Sequence, residues 1–157
     1  MVGQDKHDAV AAFTAALRAA GGSVDLLRAA VTIGLIAEPR LDVDAVIAKV
    51  EALADEIRSQ TGQLHDGAEG IGALNHQLFV LRGFKGDGER YEDPRNCFVH
   101  EVLARRMGIP ITLSILYVEV GRRLGLTLEG VGFPAHFLVR AGAGNAAAGY
   151  AYVDPFH

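Results

Sequence analysis

Apolar residues recur at helical spacing through the first sixty positions. Val10, Phe13, Ala16, Leu17 and Ala20 follow the 3.6-residue period, and Gly21-Gly22 interrupts it. Ser23 is placed to cap a second helix presenting Leu26, Leu27, Ala30, Val31 and Leu35, which Pro39 closes off. Asp42 is placed to cap a third, with Val46, Ile47, Val50, Leu53, Ala54 and Ile57 along one stripe. A polar stretch, residues 61–70, reads as a loop, and residues 71–81 as a short helix. The glycine-rich run from Gly83 to Tyr91 reads as a surface loop. Asp93-Pro94 has the cap-then-proline form of a helix start, and the pattern continues through Cys97, Phe98, Val102 and Met107 to Gly108. Residues 111–124 are apolar around most of a helical circumference, as expected of a central helix covered on several sides. Their β-branched content leaves a strand followed by a short helix as the other reading.

After Gly125 the rhythm changes to period two. Residues 126–132, 136–140 and 150–153 read as strands, with the small-residue run 141–149 as a hairpin connection. The expected class is α+β: a central helix against a short antiparallel sheet, with the amino-terminal helices packed outside. Two regions are expected, a helical one at 1–60 and a core at 71–157, packed as one compact unit. The chain stops three residues past Asp154, which reads as a fragment's ending.

Composition narrows the classes of function. Half of the 157 residues are hydrophobic, enough for a sizeable core, and 15 Lys plus Arg against 19 Asp plus Glu leave a net charge of −4. That balance argues against a general nucleic-acid surface. One cysteine rules out an internal disulfide framework and a cysteine-rich zinc module. No apolar run reaches the roughly 20 residues that span a bilayer, and Met1–Lys6 has no apolar segment of a secretory signal. A cytoplasmic protein without a membrane partner or a cofactor is expected.

The candidate chemistry rests on three residues. His136 opens one strand and Asp154 closes its hairpin partner, so both fall at one end of the sheet, either as a base with its orienting carboxylate or as a polar pair tying the hairpin. Cys97 falls near a helix start, where backbone N–H groups favour a thiolate, although a lone cysteine beside Phe98 and Val99 also reads as a small buried hydrophobe. His100 shares its helical face, yet no second ligand pair completes a metal site. The glycine order at 83–91 matches no phosphate-binding loop. Arg95 beside a helix start points to a specific ion pair, and Glu119 inside an apolar helix needs a cationic partner, most simply an arginine.

The runs Tyr91-Glu92-Asp93-Pro94-Arg95-Asn96-Cys97-Phe98, Gly108-Ile109-Pro110-Ile111-Thr112-Leu113-Ser114, Glu129-Gly130-Val131-Gly132-Phe133-Pro134-Ala135-His136-Phe137 and Val153-Asp154-Pro155-Phe156 resemble the SirB1 family of transglutaminase-like proteins. The resemblance is dense over residues 71–156. It implies a papain-like core, usually followed by a tetratricopeptide-like region that this chain lacks. It also implies a catalytic arrangement in which His136 and Asp154 match the histidine and the aspartate. The nucleophile position falls near Pro110 to Thr112, where no cysteine stands. A non-catalytic protein that binds another protein or peptide is therefore expected, with Arg95, Asn96 and Phe133 as interface residues. The alternative is a cysteine-dependent hydrolase or acyltransferase using Cys97, His136 and Asp154.

Overall fold

A computed structural model describes residues 2–18, 24–134, 136–142 and 149–157, with side chains from residue 7 onward. Helix α1 (Val2–Arg18) leads to α2 (Leu26–Thr32), which tightens into a 3-10 turn at Ile33–Ile36. Ser23, the expected cap, lies outside the described residues. Asp25 caps α2 by accepting from the Arg28 amide at 3.0 Å. Helix α3 (Val43–Thr61) starts at Asp42 as anticipated, the carboxylate accepting from the Ala45 amide at 2.9 Å.

The middle of the chain departs from its reading in three places. Helix α4 (Ala68–Asn75) begins within the stretch expected to be loop, and it widens into a π-turn at His76–Leu81. The glycine-rich loop contributes a two-residue strand, β1 (Lys85–Gly86), paired in parallel with β2 (Met107–Gly108). The helix expected from 93 to 107 is two pieces, a 3-10 turn at Pro94–Cys97 and α5 (Val99–Arg105). Phe98 is extended between them (φ −107°, ψ 121°). Arg106 ends α5 in the left-handed region (φ 59°), so Met107 belongs to a strand and Gly108 is not the stop.

Helix α6 (Pro110–Arg123) is the central helix, which settles the strand-or-helix ambiguity at 111–124. It packs against α2, α3, α5 and two strands, β3 (Leu128–Phe133) and β4 (His136–Gly142). With β5 (Tyr150–Val153) these form an antiparallel sheet in the order β3-β4-β5. Of the expected connection 141–149, Ala141 and Gly142 belong to β4, and residues 143–148 lie outside the described residues. The α+β class therefore stands: a central helix on a short sheet, with amino-terminal helices outside. Among the described residues, no helix is long and apolar enough to cross a membrane.

One apolar cluster joins Leu27 and Val31 of α2, Val50 and Ile57 of α3, Leu116 and Val120 of α6, and Val139 and Val153 of the sheet. Within it Glu119 is 8% exposed, and its Oε2 lies 2.5 Å from Arg123 Nη1, the arginine partner that the sequence required. The Tyr117 hydroxyl donates to Asn75 Oδ1 at 2.7 Å, and burial pushes the phenol's pKa up. Gly121 lets neighbours approach α6 closely: a Cβ there would lie 2.3 Å from Leu128 Cδ1. Leu116, 3% exposed, is a direct test of this centre. Leu116→Ala is expected to cost about 2–5 kcal/mol in a denaturant melt, and an unchanged midpoint would remove α6 from the core.

Candidate functional site: the start of the central helix and the end of the sheet

The first turn of α6 contains Pro110, Ile111 and Thr112. Ile111 is exposed, whereas Thr112 is buried and its Oγ1 donates to the Asn96 carbonyl at 2.7 Å. That bond ties the Pro94–Cys97 turn to the start of α6. Ser114, one turn further in, is wholly buried and its Oγ has no hydrogen-bond partner among the described residues. It borders a cavity of about 220 Å³ otherwise walled by apolar residues of α2, α6 and the sheet, Phe137 among them.

Asn96 organises the segment before α6. It is fully buried, its Nδ2 donates to the Arg90 carbonyl at 2.8 Å, and its Oδ1 accepts from Arg105 Nη2 at 2.7 Å. Its side chain thus works inward and supports the surface it was expected to present. Arg105 also lies 3.3 Å from Glu101 and 3.8 Å from the buried Asp87, whose other oxygen accepts from the Arg90 amide. Arg95 is half-exposed and grips Asp93 with Nη2–Oδ2 at 2.6 Å and Nε–Oδ1 at 3.0 Å, the ion pair anticipated from its position. Those side-chain bonds, with the Arg95 amide, hold the Asp93 carboxyl well below the usual carboxylate range.

Cys97 is exposed and unpaired as a thiol. It closes the 3-10 turn and precedes α5, whose cap is Phe98. The helix-start environment expected for it is therefore absent, because the chain is extended at Phe98. His136 is exposed at the start of β4, opposite Phe133. Asp154 is at the same end of the sheet, one residue past the Val139–Val153 pair. Continuing that antiparallel register sets Leu138, not His136, opposite Asp154. The carboxylate is already engaged: Oδ1 accepts from the Phe156 amide at 2.9 Å, and Oδ2 lies 3.0 Å from His157 Nδ1. The imidazole on Asp154 is thus His157, which no motif or spacing singled out.

The outer face of the sheet is aromatic. Phe133 meets Tyr152 edge-on at 5.9 Å between ring centroids, and Arg140 stacks over Tyr150 at 4.4 Å while pairing with Glu129. Phe133, Tyr150 and Tyr152 are all exposed. Phe156 lies across Gly86 and meets Tyr91 edge-on at 5.9 Å, so the Asp154–His157 segment is folded against the β1 loop. Among the described residues, no group of three His, Cys, Asp or Glu side chains is arranged to hold a metal ion.

A central helix backed by an antiparallel sheet, with a histidine opening one strand and an aspartate following the next, is the framework of a transglutaminase-like domain, and the family model of the transglutaminase-like superfamily matches residues 44–157. The chain belongs to that superfamily. It is 35% identical over 135 residues to a UPF0162 protein of Xylella fastidiosa strain Temecula1, covering 86% of this chain and 47% of that one. It is 43% identical over 91 residues to F-box only protein 21 of Mus musculus, covering 55% of this chain and 14% of that one. A UPF0162 protein of Vibrio cholerae is 49% identical over 57 residues, 36% of this chain and 21% of that one. The chain spans about half the length of the Xylella protein and less of the others. No solved structure matches it.

Two outcomes test this local architecture. Asn96→Ala removes the donor to the Arg90 carbonyl and the acceptor of Arg105 Nη2 and is expected to cost roughly 1–3 kcal/mol in total, read from a denaturant melt. A loss no larger than that of a surface alanine would remove Asn96 from its organising place. Because the Asp93 pKa is lowered on folding, its contribution is present above the ordinary carboxylate range and is lost as pH falls through the depressed value. Asp93→Asn should therefore lower stability at neutral pH, with the two proteins converging in strong acid. A gap that persists unchanged into strong acid would contradict the pairing.

Proposed function

We propose that this chain is a non-catalytic transglutaminase-like module of the SirB1 kind, cytoplasmic, which recognises a protein or peptide at the sheet end next to the start of α6. The observation that carries the reading is the first turn of that helix. The position that the superfamily resemblance reserves for a nucleophile is filled by Pro110, Ile111 and Thr112, and the one hydroxyl there is bonded to a backbone carbonyl. Covalent attack is the step that a histidine and an aspartate cannot supply by themselves. The exposed Phe133, Tyr150 and Tyr152, with Arg140 stacked among them and the half-exposed Arg95, have the side-chain types that anchor protein interfaces. The match to a small share of F-box only protein 21 supports a domain that serves as one part of a larger protein.

A second reading, a thiol hydrolase or acyltransferase using Cys97, His136 and Asp154, draws support from the exposure of Cys97. It needs Asp154 to exchange His157 for His136.

Selection of peptides on the folded domain from a random display library separates the readings. Enriched sequences are expected to bind the parent and to lose about tenfold or more in affinity when Phe133 and Arg95 are both changed to alanine. Failure to enrich any sequence, or equal binding by the folded double variant, would remove the interface. Turnover of a peptide, amide or ester that disappears in His136→Ala would make the chain an enzyme instead.

A further inference from the structure

Away from the sheet, a cleft of about 250 Å³ opens between α3 and α5, and its charge is opposite in sign to that of the chain as a whole. Lys49 of α3, Arg82 after the π-turn and Arg106 at the end of α5 all line it, against one carboxylate, Glu56. Glu56 is occupied: its Oε1 accepts from Arg82 Nη2 at 2.9 Å. Arg82 is 8% exposed and also donates from Nη1 to the carbonyl and the side-chain oxygen of Gln77, so it is rigidly placed at the cleft wall. Lys49 forms no ion pair among the described residues, and the residues three and four positions away on its helix (Ala45, Val46, Ala52, Leu53) are all uncharged.

Arg106 adds an independent observation. It is the one non-glycine residue with positive φ among the described residues, at a helix end where glycine is the usual choice. Its Nη1 donates to the Arg82 carbonyl at 2.6 Å, which draws one guanidinium to the backbone of the other's residue. A strained backbone thus carries a long cationic side chain into the cleft. Phe84, Leu53 and Leu103 give the same cleft an apolar side.

We propose that this cleft binds a small phosphate monoester, with the phosphate held by Arg106 and Lys49 in the field of the buried Arg82, and the ester group against Phe84, Leu53 and Leu103. Three cations facing one already paired carboxylate leave a surplus suited to the nearly doubly negative charge of a phosphomonoester at neutral pH. A monocarboxylate would leave part of that surplus unmatched. The apolar side favours an ester with a compact hydrocarbon group over inorganic phosphate.

Phenyl phosphate, inorganic phosphate and benzylammonium serve as probes, titrated into the full chain and followed through backbone amide NMR shifts. Phenyl phosphate should saturate, moving the amides of Leu103, Ala104 and Arg106. It should bind more tightly than inorganic phosphate, and benzylammonium should leave those amides unmoved. Arg106→Gly keeps the fold, because glycine accepts the left-handed backbone, and combined with Lys49→Gln it should weaken phenyl phosphate by about tenfold or more. No saturation by phenyl phosphate, shifts located elsewhere, or unchanged affinity in the folded double variant would each overturn the proposal.

Discussion

The burial of α6 is the constraint on which the rest of the structure depends. A helix whose residues from Thr112 to Gly121 are almost all out of water has no solvent face to offer, so it must be enclosed from every direction. The other elements are arranged accordingly, with α2, α3, α5, β3 and β4 all packed against it. Gly121 lets Leu128 and Leu74 close in where a Cβ would not fit. Glu119, the charged exception, is tolerated because Arg123 lies one turn further along the same helix.

That enclosure also decides what the start of α6 can do. Thr112 is drawn inward and its hydroxyl satisfies the Asn96 carbonyl, so the turn before the helix is pinned to it. Asn96 then holds Arg90 and Arg105, and through them the loop from Asp87 onward. The surface around this framework includes the aromatics and Arg140 on the sheet and a cationic cleft between α3 and α5.

The regular parts of this architecture were legible in the sequence because each follows a single period. The α3 stripe, its Asp42 cap, the apolar circumference of α6 and the alternation after Gly125 all correspond to observed elements. The ion pairs of Arg95 and Glu119 were legible as well, since a charge in the wrong local setting demands a partner. What escaped were features set by tertiary contacts. The left-handed Arg106 lies where β2 leaves α5 to pair with β1, and no local pattern marks a two-residue parallel strand; at the other end of α5, the extended Phe98 separates it from the 3-10 turn. The histidine on Asp154 was missed because three residues of chain folding back are enough to bring His157 to it, whereas His136 was expected there only because both residues fall at one end of the sheet. Asn96 was assigned outward because polarity alone does not distinguish an interface residue from one bonded inward.

The central claim is that this domain retains the transglutaminase-like framework without an activated nucleophile. The most direct measurement is the rate at which a soluble electrophile such as iodoacetamide labels Cys97 near neutral pH, followed by intact mass, in the parent and in His136→Ala. The account predicts a rate no faster than that of a small free thiol and the same rate in both proteins. Labelling far faster than a free thiol, lost in His136→Ala, would show a histidine-activated cysteine and contradict it.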